Sequence, residues 1–229
     1  MVVDIGVCSS DTKDLDSFVQ MAQKIGFAGF ATTNIEGAFD QQLENGFFIL
    51  RRADVAGKGL KSIRKKVDDV RRNSMIVSVK LASIETANWA VEESKVDLLT
   101  LDHSQENRLR DTTARLAAKS GTSLEIRFEP LIELNGLNRS KVIKVYREAI
   151  RTATDSGMQV VLSSGARYPL QMRSVVSIRY LGELLGMEPK IAEYAIKQAP
   201  LDIVERNRIR FRSEYVTDGV EVIQGGFEK

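Results

Sequence analysis

With 229 residues, 43% of them hydrophobic and 28% charged, the chain can bury one large core, which argues against a disordered tract except at the C-terminal end, and no Pro- or Ser-rich stretch marks a linker. A single cysteine, Cys8, excludes an intramolecular disulfide; a start without a leader pattern and the lack of an apolar run of bilayer length point to a cytoplasmic protein with no membrane partner. The 33 Lys and Arg nearly balance the 31 Asp and Glu, so the net charge of +2 argues for no partner and only the distribution of charge can.

In chain order, short β-branched runs alternate with longer amphipathic stretches, the pattern of βα units around a parallel sheet. Strands are predicted at residues 2–7, 27–33, 47–55, 75–81, 96–101, 123–128 and 159–162. Between the third and fourth, Leu60, Ile63, Val67 and Val70 recur at helical spacing and leave Lys61, Arg64, Lys65 and Arg71 on other faces. Val142, Val145, Tyr146, Ala149, Ile150 and Ala153 form a second apolar stripe; Val175, Ile178, Leu181 and Leu185 form a third. Pro169, Pro189 and Pro200 each fit the first turn of a helix, where a missing N–H costs little. Beyond the seventh strand the pattern is helical to about Arg206. The fold expected is α/β, an irregular TIM-like βα barrel of about seven strands with extra helices, occupying residues 1–212; residues 213–229 read as a C-terminal extension. No eighth strand stands out, so closure by a short strand or by helices is expected, and a doubly wound open sheet is the competing architecture.

Charge is unevenly placed. Residues 1–40 hold two basic and six acidic residues, whereas Arg51 to Arg72 hold nine basic residues against Asp54, Asp68 and Asp69. Smaller basic clusters run from Arg139 to Arg151 and from Arg206 to Arg212. Such asymmetry steers a polyanion to one side of a molecule. The alternation Arg206, Arg208, Arg210, Arg212 would line four guanidinium groups along one face of an extended strip, and would spread them around a helix.

Chemistry-bearing patterns are sparse. His103 is the only histidine, which argues against a His-rich metal centre, although an oxygen-only magnesium site stays open. Asp102 and His103 follow the fifth strand, where barrel enzymes place catalytic groups. Gly57-Lys58-Gly59 lacks the spacing of a phosphate loop and reads as the turn that opens the basic helix. Ser163, Ser164 and Gly165 follow the seventh strand and read equally as a phosphate-cradling loop or as a hydrogen-bonded turn. Trp89 reads as packed.

Several strings, in order along most of the chain, resemble the family of ribonuclease P protein component 3, the archaeal counterpart of the thirty-kilodalton subunit of nuclear ribonuclease P. They are RRNSMIVSVK from Arg71, ETANWAVEESKVDLLTL from Glu85, RLRDTTARLAAKSGTSLEI from Arg108, VVLSSGARYPLQMRS from Val160, IRYLGELLGM from Ile178 and PLDIVERNR from Pro200. The resemblance implies an irregular barrel inside a ribonucleoprotein that removes the 5′ leader of precursor tRNA. It implies that the RNA subunit performs hydrolysis with magnesium and that this chain binds no cofactor and has no catalytic residue of its own. The implied partners are the catalytic domain of the ribonuclease P RNA, protein component 2 in a two-plus-two heterotetramer, the other ribonuclease P proteins, and precursor tRNA in the holoenzyme. Length favours the compact archaeal form.

The RNA-contact role implied by the resemblance falls on Arg71, Arg72, Arg108, Arg110, Arg173, Arg179, Arg206 and Arg208, some of which must instead be structural ion pairs. Lys58, Arg64 and Lys65 are added from local charge density. Two other readings compete: a barrel phosphoesterase or sugar-phosphate enzyme using Asp102, His103, Lys80 and the loop from Ser163 to Ala166, and a protein scaffold with no RNA affinity.

Overall fold

A computed structural model describes residues 1–9, 11–101 and 108–212, together with the backbone of residues 215–217 and 220–221. The chain forms β1 (Val3–Val7), α1 (Leu15–Lys24), β2 (Gly29–Thr32), β3 (Asp40–Gln42), β4 (Phe48–Val55), α2 (Leu60–Arg71), β5 (Ile76–Lys80), α3 (Ile84–Glu92), β6 (Leu98–Thr100) and α4 (Asp111–Ser120). There follow β7 (Ser123–Arg127), α5 (Glu129–Glu133), α6 (Gly136–Asp155), β8 (Val160–Ser163), α7 (Val175–Leu184), α8 (Pro189–Lys197), α9 (Ala199–Arg210), β9 (Tyr215–Thr217) and β10 (Val220–Glu221). The last two pair with each other as an antiparallel ribbon.

Seven parallel strands run in the order β1-β2-β4-β5-β6-β7-β8, which excludes the doubly wound alternative. The ring is nearly closed. No ladder joins β8 to β1; instead Cys8 N–H donates to Ala166 O at 2.8 Å and Ser164 N–H donates to Asp4 Oδ1 at 3.1 Å. Strand β3 was not expected: it pairs antiparallel to the outer length of β4, with Gln41 opposite Ile49. Pro189 and Pro200 do open helices, whereas Pro169 opens only a single 3-10 turn, Pro169–Gln171.

The core has two compartments. Between strands and helices, Phe18, Phe30 and Phe47 meet edge to face and continue into Ile63, Val67, Val91, Tyr146 and Ile150, the apolar stripes of α2, α3 and α6. Within the strand ring, Val3, Ile5, Leu50, Ile76, Leu98 and Val161 pack with Leu201, Ile203 and Val204 of α9. Helix α9 therefore plugs the N-terminal end of the barrel with the apolar side of a sequence otherwise rich in arginine. At the other end the strands open toward the βα loops, where barrels position function.

Candidate nucleic-acid interface

Strand alternation turns charged side chains into the C-terminal half of the ring. In β4, Leu50, Arg52 and Asp54 share one parity, and Arg52 is only 1% exposed. Its five N–H donors are all taken: Nε by Asp54 Oδ1 (2.6 Å), Nη1 by Ile5 O and Glu125 Oε1 (2.6 Å), and Nη2 by Glu125 Oε2 (2.5 Å) and Thr100 Oγ1 (3.4 Å). Glu125, fully buried in β7, also accepts from Thr100 Oγ1 (2.6 Å) and Ser163 Oγ (2.7 Å). Arg127, two residues on, reaches Asp54 Oδ2 at 2.7 Å and Glu125 Oε2 at 3.3 Å.

Burial alone would push the Glu125 carboxyl up, yet Arg127, Arg52 and the hydrogen bonds to them outweigh it and hold the group far below the usual carboxylate range. Asp54 follows the same logic to a value below its ordinary one, with Arg52 and Arg127 overcoming burial. Burial lowers, and the two carboxylates raise, the affinity of Arg52 and Arg127 for their protons; the carboxylates win in both. Asp4 lacks such a cation, and burial pushes its carboxyl upward. A small cleft bounded by Asp54, Ser78, Lys80, Thr100 and Arg127 remains at the mouth. Among the described residues no group of three His, Cys, Asp or Glu is placed to hold a metal. Asp102 and His103 lie outside the described residues.

The loop after β8 is held by hydrogen bonds to the barrel interior. Ser163 and Ser164 are buried; Ser163 Oγ donates to Glu125, Ser164 N–H donates to Asp4, and Ser164 Oγ accepts from Ala166 N–H at 3.1 Å. Its side-chain neighbours are the carboxyl groups of Asp4 and Glu125 together with Arg127, which packs beside Gly165. Gly165 has φ +65°, and a Cβ there would lie 3.0 Å from Glu129 Cβ.

The N-terminal end carries a second network. Asp97, buried before β6, binds Arg71 Nη1 at 2.7 Å, Arg206 Nη2 at 3.0 Å and Asn207 Nδ2 at 2.8 Å, and accepts from Val77 N–H at 2.8 Å. Arg71 also bonds Met75 O and covers the Phe211 ring, while Arg206 bonds Gly121 O. Arg208 pairs with both oxygens of Asp40 at 2.8 and 3.0 Å and lies over Phe48. These residues sit on a helix, so the extended strip of guanidinium groups does not form. Three of the arginines singled out for RNA contact, Arg71, Arg206 and Arg208, are paired with carboxylates here and are only partly exposed.

The remaining candidates lie outward. Lys58, Arg64 and Lys65 are exposed on and before α2, with Arg64 over a half-buried Trp89 at 5.4 Å; Arg72, just past its end, is exposed too. Gly59 (φ +82°) makes the turn that opens this helix. Arg110 is exposed at the start of α4, and Arg108 is exposed but paired with Glu148 at 2.7 Å. Arg173 donates to Leu170 O and Met172 O, and Arg179 stacks on Tyr180 at 4.3 Å with Glu183 at 3.6 Å.

The chain is thus a parallel βα barrel whose buried arginine is matched by the carboxylates of Asp54 and Glu125 and whose α2 and α6 cations face solvent. A crystal structure of an amidohydrolase shares that fold, with a TM-score of 0.55 at 12% identity over 89% of this chain and 74% of its own. The profile described as RNase P subunit p30 matches residues 1–212, and the chain belongs to that family of ribonuclease P protein subunits. Ribonuclease P protein component 3 of Methanosarcina barkeri is 24% identical over 93% of this chain and 90% of its own length. The protein of the same name from Methanosarcina acetivorans is 26% identical over 90% and 88%. A chain in a cryo-EM structure of archaeal ribonuclease P with mature tRNA superposes with a TM-score of 0.80 at 20% identity, over 99% of this chain and all of that one.

Proposed function

We propose that this subunit is an RNA-contacting scaffold of ribonuclease P in the cytoplasm, with the RNA subunit hydrolysing the precursor tRNA in a magnesium-dependent reaction and no cofactor held by this chain. The observation that carries the reading is the contrast between the mutually paired charges inside the barrel and the exposed cations of α2. Cations on a rigid barrel lower the repulsion between phosphates brought close together and make binding salt-dependent. Of the residues singled out from the sequence, Lys58, Arg64, Lys65, Arg72 and Arg110 are the contacts this reading assigns to RNA, with Arg108, Arg173 and Arg179 behind them. Protein component 2 is the assigned protein partner, in a two-plus-two assembly, alongside the other ribonuclease P proteins and precursor tRNA.

The test is cleavage of precursor tRNA by the cognate RNA subunit, with and without this chain and component 2, over a range of magnesium concentrations. A lower magnesium requirement and a higher rate with the pair, and no cleavage by the proteins alone, support the reading. Cleavage by this chain alone would overturn it and return attention to Asp102 and His103.

A further inference from the structure

The basic cluster from Arg139 to Arg151 has no role in the reading above. It lies on α6, and it holds Arg139, Lys141, Lys144, Arg147 and Arg151 against the single carboxylate Glu148, itself paired with Arg108. All five cations are exposed. Arg147 crosses to Leu184 O at the end of α7, and Arg139 folds back on Leu134 O; both bind a carbonyl, which leaves their charge uncompensated. At a rise of 1.5 Å per residue the row extends over roughly 18 Å, long enough to track several phosphates.

Position in the ring separates this face from α2. Helix α2 connects β4 to β5 and α6 connects β7 to β8, three strand positions further round a ring of seven. Helices α3 and α4 lie between; α3 carries exposed Glu85 and Glu92 and no Lys or Arg, whereas α4 carries exposed Arg115 and Lys119 with Asp111, so the gap between the two faces is cleanest at α3. Residues 58–72 and 139–151 together hold twelve of the chain's 33 basic residues and three of its 31 acidic ones, so the rest of the chain is net negative. We propose that α6 is a second RNA-binding face, nearly opposite α2, and that the barrel bridges two separate segments of RNA. The proposal rests on the RNA-contact reading of α2.

A groove of about 800 Å³ runs beside α6 toward α8, and it would suit a partner helix if its floor were open. The floor is already packed: Ile150, Leu185 and Met187 are 2%, 1% and 5% exposed. What the groove offers to solvent is mixed, with the cations Lys144, Arg147 and Arg151 beside the exposed carboxylates Asp155 and Glu188 and the apolar Ile191, so the assignment to RNA rests on the row of cations along α6 and not on the groove.

The experiment compares the full chain with two triple variants, K141E/K144E/R151E on α6 and K58E/R64E/K65E on α2, for binding to the cognate ribonuclease P RNA across salt concentrations and for the RNA segments each protects from hydroxyl radicals. Expected is a loss of affinity of at least tenfold in each variant, a fall of about 2 to 3 in the slope of log affinity against log salt, and loss of a different protected segment in each. If the α6 variant keeps wild-type affinity, slope and protection while the α2 variant is weakened, the second face is overturned and the RNA-contact reading stands. If the α6 variant loses only a protein subunit from the particle, the face is a protein dock and the proposal fails. Wild-type RNA binding by both variants would overturn both readings.

Discussion

At the C-terminal mouth the buried carboxylate Glu125 is gripped by Arg52 and Arg127, both on strands of the ring. At the opposite end Asp97 is gripped by Arg71 at the end of α2, by Arg206 within α9, and by Asn207. The mouth network lies across the barrel and links β4, β6, β7 and β8. The basal network ties a late helix to strands made far earlier in the chain. Both bury an acid between two arginines, but only the mouth does so with a guanidinium fully out of water, so the two ends differ in what the loss of the acid would cost.

Removing the mouth carboxylate is expected to have the largest effect. Glu125→Gln leaves Arg52 buried beside one remaining carboxylate, Asp54, and should lower stability by about 3–5 kcal/mol in urea unfolding. Because the folded Glu125 and Asp54 carboxyls sit below their ordinary values, their stabilisation is complete above about pH 5 and is lost as pH falls through the folded values. Stability of the unsubstituted protein should therefore begin to drop below about pH 5 and go on dropping past about pH 3, and less steeply in Glu125→Gln; equal slopes would show that Glu125 is not the group responsible. Asp97→Asn should cost less, about 2–3 kcal/mol, because Arg71 and Arg206 reach solvent. Its signature is selective: amide exchange in α9 should accelerate before exchange in β5 or β6, and a uniform acceleration would mean that Asp97 does not act through α9. Gly165→Ala tests the backbone of the mouth, where a left-handed φ and the contact with Glu129 predict a loss of about 1–2 kcal/mol. Arg208→Ala breaks a half-exposed pair with Asp40 and should cost about 0.5–1 kcal/mol by thermal melting; a loss as large as that of Asp97→Asn would put the anchor of α9 at β3 instead.

Much of this architecture was legible from the sequence. All seven ring strands fall within two residues of their predicted bounds, because Val-, Ile- and Leu-rich runs flanked by helical periodicity leave few alternatives. Strand β3, DQQ, was missed: it has no β-branched residue, and it exists through backbone pairing to β4 alone. The interior network was missed for another reason. Arg52 was counted with the surface charges of α2, although RRADV alternates and places it on the parity of Leu50, just as SLEIR places Glu125 and Arg127 on one face of β7. Opposite charges at inward parity on two strands were the available signal. In the family strings around VERNR, a count of arginines could not separate Arg206, which meets a carboxylate 109 residues away in sequence, from cations that meet none.

The plug formed by α9 also sets an order of events. Val3, Leu50, Ile76, Leu98 and Val161 find their cover only when Leu201, Ile203 and Val204 arrive. A ribosome that has released only the first 190 residues presents a ring with an open greasy floor. Contacts between residues so distant in sequence are slow to form and leave apolar surface uncovered meanwhile. A chain truncated before α9 is then expected to be a client of chaperones, and the arrival of α9 is the step at which the floor of the nascent barrel is covered.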